Sequence, residues 1–146
     1  MNEKNYMELA IEHAKKAASL NEVPIGALLV DEKNKEIFGP DAKLHGHNYT
    51  LEVTVTGLVN PATGFIVDLG HLKEVVTEKI IKRIDHTQFE KVINWFQDKQ
   101  PSSENLTQYI WQEIEPLIKD CTLHRIRLKE TNTIYTDYYG PGECCK

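Results

Sequence analysis

The segment HGHNYTLEVTVTG, residues 45–57, alternates apolar and polar side chains and so predicts a β-strand over residues 48–57. Because neighbouring side chains of a strand point to opposite faces, one face carries the apolar set Tyr49, Leu51, Val53 and Val55. The same rule puts His45 and His47 on one face, roughly 7 Å apart along the strand. Two imidazoles at that spacing suit one Zn²⁺ ion, and the plainer alternative is a polar pair in a loop.

The rest of the sequence predicts an α+β fold built around this strand. Helices are predicted over residues 4–20, 70–83 and 89–96, and a further helix begins at residues 101–104. Other strands are predicted over residues 25–31, 36–38, 65–69, 122–130 and 133–138, with a turn at residues 60–64. From residue 48 onward the order is β-β-α-α-β-β, which is typical of an antiparallel sheet with helices covering one face.

Composition restricts the classes of function. The chain has 146 residues, a net charge of −5 and 40% apolar residues, as expected for a soluble globular protein. Its acidic balance argues against nucleic acid as a partner. No stretch approaches the roughly 20 apolar residues of a membrane helix, and the N-terminus lacks the apolar core of a signal peptide. Three cysteines are too few for a disulfide framework, so we expect a cytoplasmic protein. From the charge and the lack of a long apolar segment, we expect it to bind neither nucleic acid nor membranes.

Two further positions carry side chains suited to acid–base chemistry or ligand binding. Asp85 precedes His86, and a carboxylate beside an imidazole can orient it for proton transfer, although such a dipeptide is also common at helix ends. Glu130 has the strand parity of the apolar set His124, Ile126 and Leu128. A carboxylate on an apolar face needs partners, and a planar heterocycle with an N–H and an amino group would supply two hydrogen bonds. The alternative for Glu130 is a strand end turned to solvent.

Three other residues have both a structural and a functional interpretation. Ser102 or Ser103 precedes Glu104 at a predicted helix start and fits an N-cap, but exposed amides at a helix start also favour a phosphate. Asp41, four residues before His45, is a possible acid or base near a metal, or a turn residue after Gly39-Pro40.

Taken together, seven segments resemble the 6-pyruvoyltetrahydropterin synthase / 6-carboxytetrahydropterin synthase family. They are NKEIFGP at 34–40, HGHNY at 45–49, TGFIVDL at 63–69, Asp85-His86, PSSEN at 101–105, Ile110-Trp111 and KET at 129–131. Each segment alone is weak, and their order and spacing together are specific. The resemblance implies a T-fold, which is a four-stranded antiparallel sheet with two helices on one face, assembled into trimers or hexamers that remove exposed strand edges.

The resemblance also implies a substrate, a metal and residue roles. The substrate is 7,8-dihydroneopterin triphosphate, and Zn²⁺ held by three histidines acts as a Lewis acid. His45 and His47 correspond to two of the zinc ligands, and Asp85 and His86 to a proton relay. Glu130 corresponds to the residue that anchors the pterin ring, helped by three hydroxyl-bearing residues: Thr131, Ser102 and Ser103. The expected reaction gives 6-carboxytetrahydropterin for queuosine synthesis, with the 6-pyruvoyl product as the alternative.

The sequence departs from the family pattern at two places. Asp41 stands where the family carries a cysteine, so it acts as a substitute base, changes the product, or leaves a catalytically impaired pterin-binding protein. Residues 6–30 resemble the start of a tRNA adenosine or cytidine deaminase, which predicts an N-terminal helix–strand segment over 1–30 and a T-fold domain over 31–146. The sequence lacks the H-x-E and P-C-x-x-C motifs that deamination needs. His13 is the only histidine before His45, and it is either the third zinc ligand or a half-buried structural residue. In the second case, His71 or Asp41 completes the site, or zinc binds weakly.

Overall fold

The computed structural model describes residues 26–29 and 45–142, with the backbone alone for 26–29 and for His45. The strands are β1 (Gly26–Leu29), β2 (His45–Asn48), β3 (Thr50–Thr56), β4 (Thr122–Lys129) and β5 (Tyr135–Tyr138). The helices are α1 (Leu69–Val76), which continues through a π-helical stretch (Thr77–Ile81) into α2 (Lys82–Ile84), then α3 (Phe89–Val92) and α4 (Ser103–Ile114). One short 3₁₀ turn, Asn94–Phe96, comes after α3, and another, Glu115–Leu117, comes after α4. The predicted helix at 4–20 and strand at 36–38 lie outside the described residues.

The sheet is antiparallel throughout its described part. β3 pairs with β4, Val53 opposite Ile126, and β4 pairs with β5, which gives three hydrogen-bonded strands in the order β3-β4-β5. Tyr49 separates β3 from β2, and β2 pairs with β1 with His47 opposite Ala27. The predicted α+β architecture is therefore confirmed. β1 pairs with β2, and β2 leads through Tyr49 into β3.

One face of the sheet carries the helices and the hydrophobic core. β4 contributes Ile126 and Leu128, which are fully buried, and α4 packs against β4 and β5. The helical stretch from α1 to α2 buries three of its side chains in the same core at intervals of four or five residues: Val75, Ile80 and Ile84. The opposite sheet face is charged, and Arg127 binds Asp137 through two hydrogen bonds of 2.6 Å. This apolar-in, charged-out alternation is the pattern that the sequence predicted.

A β-bulge changes which face β4 presents near its start. The register shifts between Thr54, opposite Arg125, and Val55, opposite Leu123, so His124 is the unpaired extra residue. Leu123 is consequently buried and His124 is exposed. The prediction that His124 shares the apolar face of Ile126 was wrong, because a one-residue shift reverses the face of every side chain before it.

The chain after the turn at 60–64 enters a helix rather than a second strand. The turn itself is confirmed, with the amide of Gly64 donating to the carbonyl of Asn60 at 2.7 Å. The side chain of Asp68 then accepts hydrogen bonds from the amides of Gly70 (2.8 Å) and His71 (3.3 Å) and begins α1. The predicted strand at 65–69 was wrong, since this N-cap stabilises a helix start where apolar alternation alone indicated a hairpin.

No helix in the described part of the chain is both long and apolar enough to cross a membrane.

Two glycines with nearly the same backbone conformation allow a matched test of the packing around Trp111. Gly140 has φ +99° and a Cβ there would lie 2.7 Å from Cζ2 of Trp111, whereas Gly142 has φ +98° and open space around it. We expect Gly140→Ala to lower the free energy of unfolding by about 3 kcal/mol, because strain and overpacking add. Gly142→Ala should cost about 1 kcal/mol, from backbone strain alone. Urea unfolding measures both, and equal losses would contradict a steric role for Gly140.

Candidate active site

His47 and Glu130 form the centre of the candidate site. His47 lies on β2, and its Nδ1 is 3.7 Å from Oε2 of Glu130, with both side chains mostly buried. Strand register explains the pairing, because Thr50 is opposite Lys129 and Glu130 follows one residue beyond that pair, towards Tyr49 and His47. The two residues that the sequence analysis assigned to metal binding and to pterin binding therefore lie next to each other.

Tyr49 packs against this pair from the core side. Its side chain is 3% exposed, and its ring stacks on the imidazole of His47 with 5.4 Å between centroids and 19° between planes. Burial, and then the negative charges of Glu130 and Glu104, raise the pKa of the Tyr49 phenol well above its usual range. The phenol is therefore neutral at physiological pH, and two carboxylates act on it.

The turn between β4 and β5 holds Glu130 in place. The backbone amides of Glu130 and Thr131 both donate to the carbonyl of Ile134, at 3.0 and 3.2 Å. The hydroxyl of Thr131 accepts from the amides of Thr133 (3.2 Å) and Ile134 (3.0 Å). Thr131, predicted to help bind substrate, is thus a turn-forming residue in this structure, and its contribution to binding stays a prediction.

The start of α4 brings the two predicted serines into different surroundings. Ser102 is the N-cap, and its hydroxyl oxygen accepts from the amide of Asn105 at 3.3 Å. The hydroxyl of Ser103 lies 3.0 Å from that of Thr136 on β5, so it joins the helix to the sheet. Glu104 follows in the first helical turn, and its negative charge contributes to the raised pKa of Tyr49.

Asp85 and His86 form a second, separate pair on the turn after α2. Nδ1 of His86 is 2.8 Å from Oδ1 of Asp85, and both side chains remain partly exposed. His86 has φ +56°, a left-handed conformation that is uncommon for a residue with a side chain. The hydroxyl of Thr87 donates to the carbonyls of Ile84 and Arg83, which closes the turn beneath the pair. An imidazole oriented by a carboxylate in this way is suited to proton transfer.

The structure places only part of the predicted metal site. His45 and His47 both lie on β2 with one residue between them, as the sequence predicted, although only the backbone of His45 is described. Residues 26–29 and 45–142 contain no group of three His, Cys, Asp or Glu side chains that could hold a metal ion. His13 and Asp41 lie outside the described residues. Imidazole nitrogens are the donors that zinc prefers, so the residue types on β2 fit zinc in chemistry.

Sequence reasoning missed Tyr49 and Glu104 as neighbours of this centre. The spacing that linked His45 to His47 also applies to Tyr49, two residues further on, and could have identified it. The sequence held no comparable signal for Glu104, because its proximity depends on how α4 packs on the sheet.

Comparisons with known proteins point to one family. The family model for 6-pyruvoyl tetrahydropterin synthase matches residues 15–141, which include half of the predicted N-terminal segment. The 6-pyruvoyl tetrahydrobiopterin synthase of Drosophila melanogaster is 37% identical over 116 residues, 77% of this chain and 69% of that protein. The dihydroneopterin monophosphate aldolase of Pyrococcus furiosus is 34% identical over 91 residues, 62% of this chain and 73% of that protein. The structure of Caenorhabditis elegans 6-pyruvoyl tetrahydropterin synthase superposes with a TM-score of 0.71 at 28% identity, covering 80% of this chain and 89% of that one.

Capping by Ser102 can be separated from any role in binding. We expect Ser102→Ala to lower the free energy of unfolding by about 1 kcal/mol, because the Asn105 amide loses its acceptor. Ser102→Asp should keep most of the stability, since aspartate also caps helices. Thermal or urea unfolding measures the three proteins. Parent-like stability of Ser102→Ala would contradict the capping role.

Proposed function

Because the chain belongs to the 6-pyruvoyl tetrahydropterin synthase family, we propose that it is a tetrahydropterin synthase acting on the side chain of 7,8-dihydroneopterin triphosphate. The observation that supports this best is Glu130 beside His47, with Nδ1 and Oε2 3.7 Å apart. A carboxylate held at this depth can accept two charge-assisted hydrogen bonds from the N–H and amino group of a pterin ring. The ring then lies next to the strand that carries the predicted metal ligands.

The proposed product is 6-carboxytetrahydropterin, in the chemistry of queuosine synthesis. The second candidate is 6-pyruvoyltetrahydropterin, which the names of the relatives favour. Asp41 in place of the family cysteine, together with the likeness to a dihydroneopterin monophosphate aldolase, supports side-chain cleavage to a 6-hydroxymethyl pterin as a third outcome. These products differ in mass. The pyruvoyl group keeps three side-chain carbons, whereas the carboxyl and hydroxymethyl groups keep one carbon each and differ from each other in oxygen and hydrogen content.

The remaining residues have proposed roles that the family resemblance suggests. Asp85 orients His86, and the imidazole of His86 carries protons between substrate and solvent. Asp41 is the proposed base that takes the place of the cysteine. Ser102, Ser103 and Thr131 support the pterin pocket, Ser103 through its contact with β5.

Zinc is part of the proposal through the residues that would hold it. His45 and His47 on β2 supply two imidazoles, and His13 is the proposed third ligand. When bound, zinc would polarise the side-chain oxygens of the substrate and acidify the neighbouring C–H bonds.

We also propose that the chain works as a homo-oligomer, a trimer or a hexamer. β5 is an edge strand of the described three-stranded sheet. Its first residue, Tyr135, is 50% exposed, and Ile134, which precedes it, is 58% exposed. A strand edge of this kind is suited to pairing with another subunit. A net charge of −5 supports the absence of nucleic acid as a partner, and a cytoplasmic location is retained as an expectation.

Product analysis with a matched pair of variants tests the function. The zinc-supplied protein is incubated with 7,8-dihydroneopterin triphosphate, and triphosphate and pterin products are identified by mass spectrometry. We expect turnover, and Glu130→Gln should raise KM by roughly 10- to 100-fold, because the pterin loses a charged acceptor. Glu52→Gln is the control, since Glu52 binds Arg125 and Lys129 on the opposite sheet face.

Each result of that assay has a definite meaning. A 6-carboxy, 6-pyruvoyl or 6-hydroxymethyl product names the reaction. Unchanged substrate with pterin bound through Glu130 would mean a catalytically impaired pterin-binding protein, and an equal effect of the Glu52 and Glu130 variants would contradict the pterin-anchoring role.

Removal of metal tests the zinc proposal independently. We expect the parent protein to hold about one zinc per chain and to lose turnover after dialysis against a chelator, with recovery when zinc is returned. His47→Ala should bind metal weakly and should not recover. Metal content is measured by elemental analysis, and turnover that persists in protein free of metal would refute the proposal.

A further inference from the structure

We propose that Tyr49 is a positioning residue for the candidate site, whose ring holds the imidazole of His47 in a fixed orientation for metal binding. The proposal rests on the proposed function where it concerns zinc. It concerns a residue that neither the sequence motifs nor the comparisons assign a role.

The geometry of the two rings carries the argument. The planes of His47 and Tyr49 are 19° from parallel, with centroids 5.4 Å apart, which is a stacked arrangement. Tyr49 is 3% exposed and belongs to the hydrophobic core, so its ring is fixed by packing rather than by solvent. A fixed ring against one face of an imidazole limits rotation about the imidazole's side-chain torsions.

Glu130 contacts the same imidazole at one of its ring nitrogens. Its Oε2 lies 3.7 Å from Nδ1, whereas the ring of Tyr49 stacks on the imidazole. A stacked ring and a charged partner at one nitrogen together restrict the imidazole more than either contact does alone. Partners around a ligand usually set metal affinity in this way, because an imidazole that is already oriented loses less freedom on binding.

The backbone at Tyr49 explains why the ring can do this. Tyr49 lies between β2 and β3, where the pairing partner changes from β1 to β4. Anchoring Tyr49 in the core therefore fixes the start of β3 and the end of β2 together. The position of His47 relative to Glu130 depends on that junction.

Tyr109 offers a matched control for a purely structural role. It is 2% exposed in the same core, but its neighbours are Trp95, Phe96 and Arg83. Losing either tyrosine removes similar buried area, so Tyr49→Leu and Tyr109→Leu should destabilise the protein to a similar degree. The proposal expects only the change at Tyr49 to affect His47.

Zinc affinity, measured by competition with a chromophoric chelator, is the first test. We expect Tyr49→Leu to bind zinc at least tenfold more weakly than the parent, and Tyr49→Phe, which keeps the ring, to restore the affinity to within about twofold. Tyr109→Leu should keep the parent affinity. Equal weakening by the two leucine variants, or parent-like affinity of Tyr49→Leu, would overturn the proposal. Tyr49→Met serves in place of Tyr49→Leu if that variant does not fold.

A measurement without metal separates this proposal from the zinc proposal. The mobility of the His47 ring is measured in the metal-free full chain by ¹³C relaxation at Cε1, with the signal assigned from its loss in His47→Gln. We expect greater mobility in Tyr49→Leu than in the parent, Tyr49→Phe or Tyr109→Leu. If the parent binds no zinc, the zinc proposal fails and this result alone decides the role of Tyr49. Unchanged mobility of the His47 ring in Tyr49→Leu would overturn the proposed positioning role of Tyr49.

Discussion

The register between β3 and β4 is the constraint on which the candidate site depends. Thr50 lies opposite Lys129 in the last pair at that end of the two strands. Glu130 is therefore one residue beyond the paired region, beside His47. A slip of one residue would turn Glu130 to the charged face, because strand side chains alternate with a period of two. The register is in turn fixed by burial, since Val53 and Ile126 must both face the helices. Core packing and site geometry are therefore one requirement.

The cluster around Tyr49 joins the hydrophobic core to the candidate site. Tyr49 is 3% exposed and its ring stacks on the imidazole of His47, whose Nδ1 lies 3.7 Å from Oε2 of Glu130. Burial, and then the negative charges of Glu130 and Glu104, raise the pKa of the Tyr49 phenol. Within the proposed function, a pterin would bring N–H and amino donors to the carboxylate of Glu130. A group whose pKa is perturbed by burial and by nearby charges is typical of functional sites.

The sequence was sufficient for the features that depend on local pattern. Alternation predicted β3 and β4, helical spacing predicted the stretch from α1 to α2, and the Asp85-His86 pair followed from adjacency. Three features lay outside what the periodic pattern of the sequence indicates. The bulge at His124 depends on how two strands match in length, Asp68 competes as an N-cap against apolar alternation, and Glu104 approaches Tyr49 only through the packing of α4. Periodicity in one segment contains none of these relations.

In the proposed function, substrate binding and product choice depend on different residues. His47 lies on the sheet and Glu130 directly follows β4, and both pack beside the core, so a pterin bound there would meet this carboxylate and imidazole. The proposed base is Asp41, in the segment before β2, and its unperturbed pKa of about 4 makes it a weaker base than a thiolate at neutral pH. A weaker base favours whichever bond breaks with the least help from proton removal. The relatives are named as synthases and as an aldolase, and the proposed base at Asp41 is the residue of this chain that we expect to decide between such outcomes.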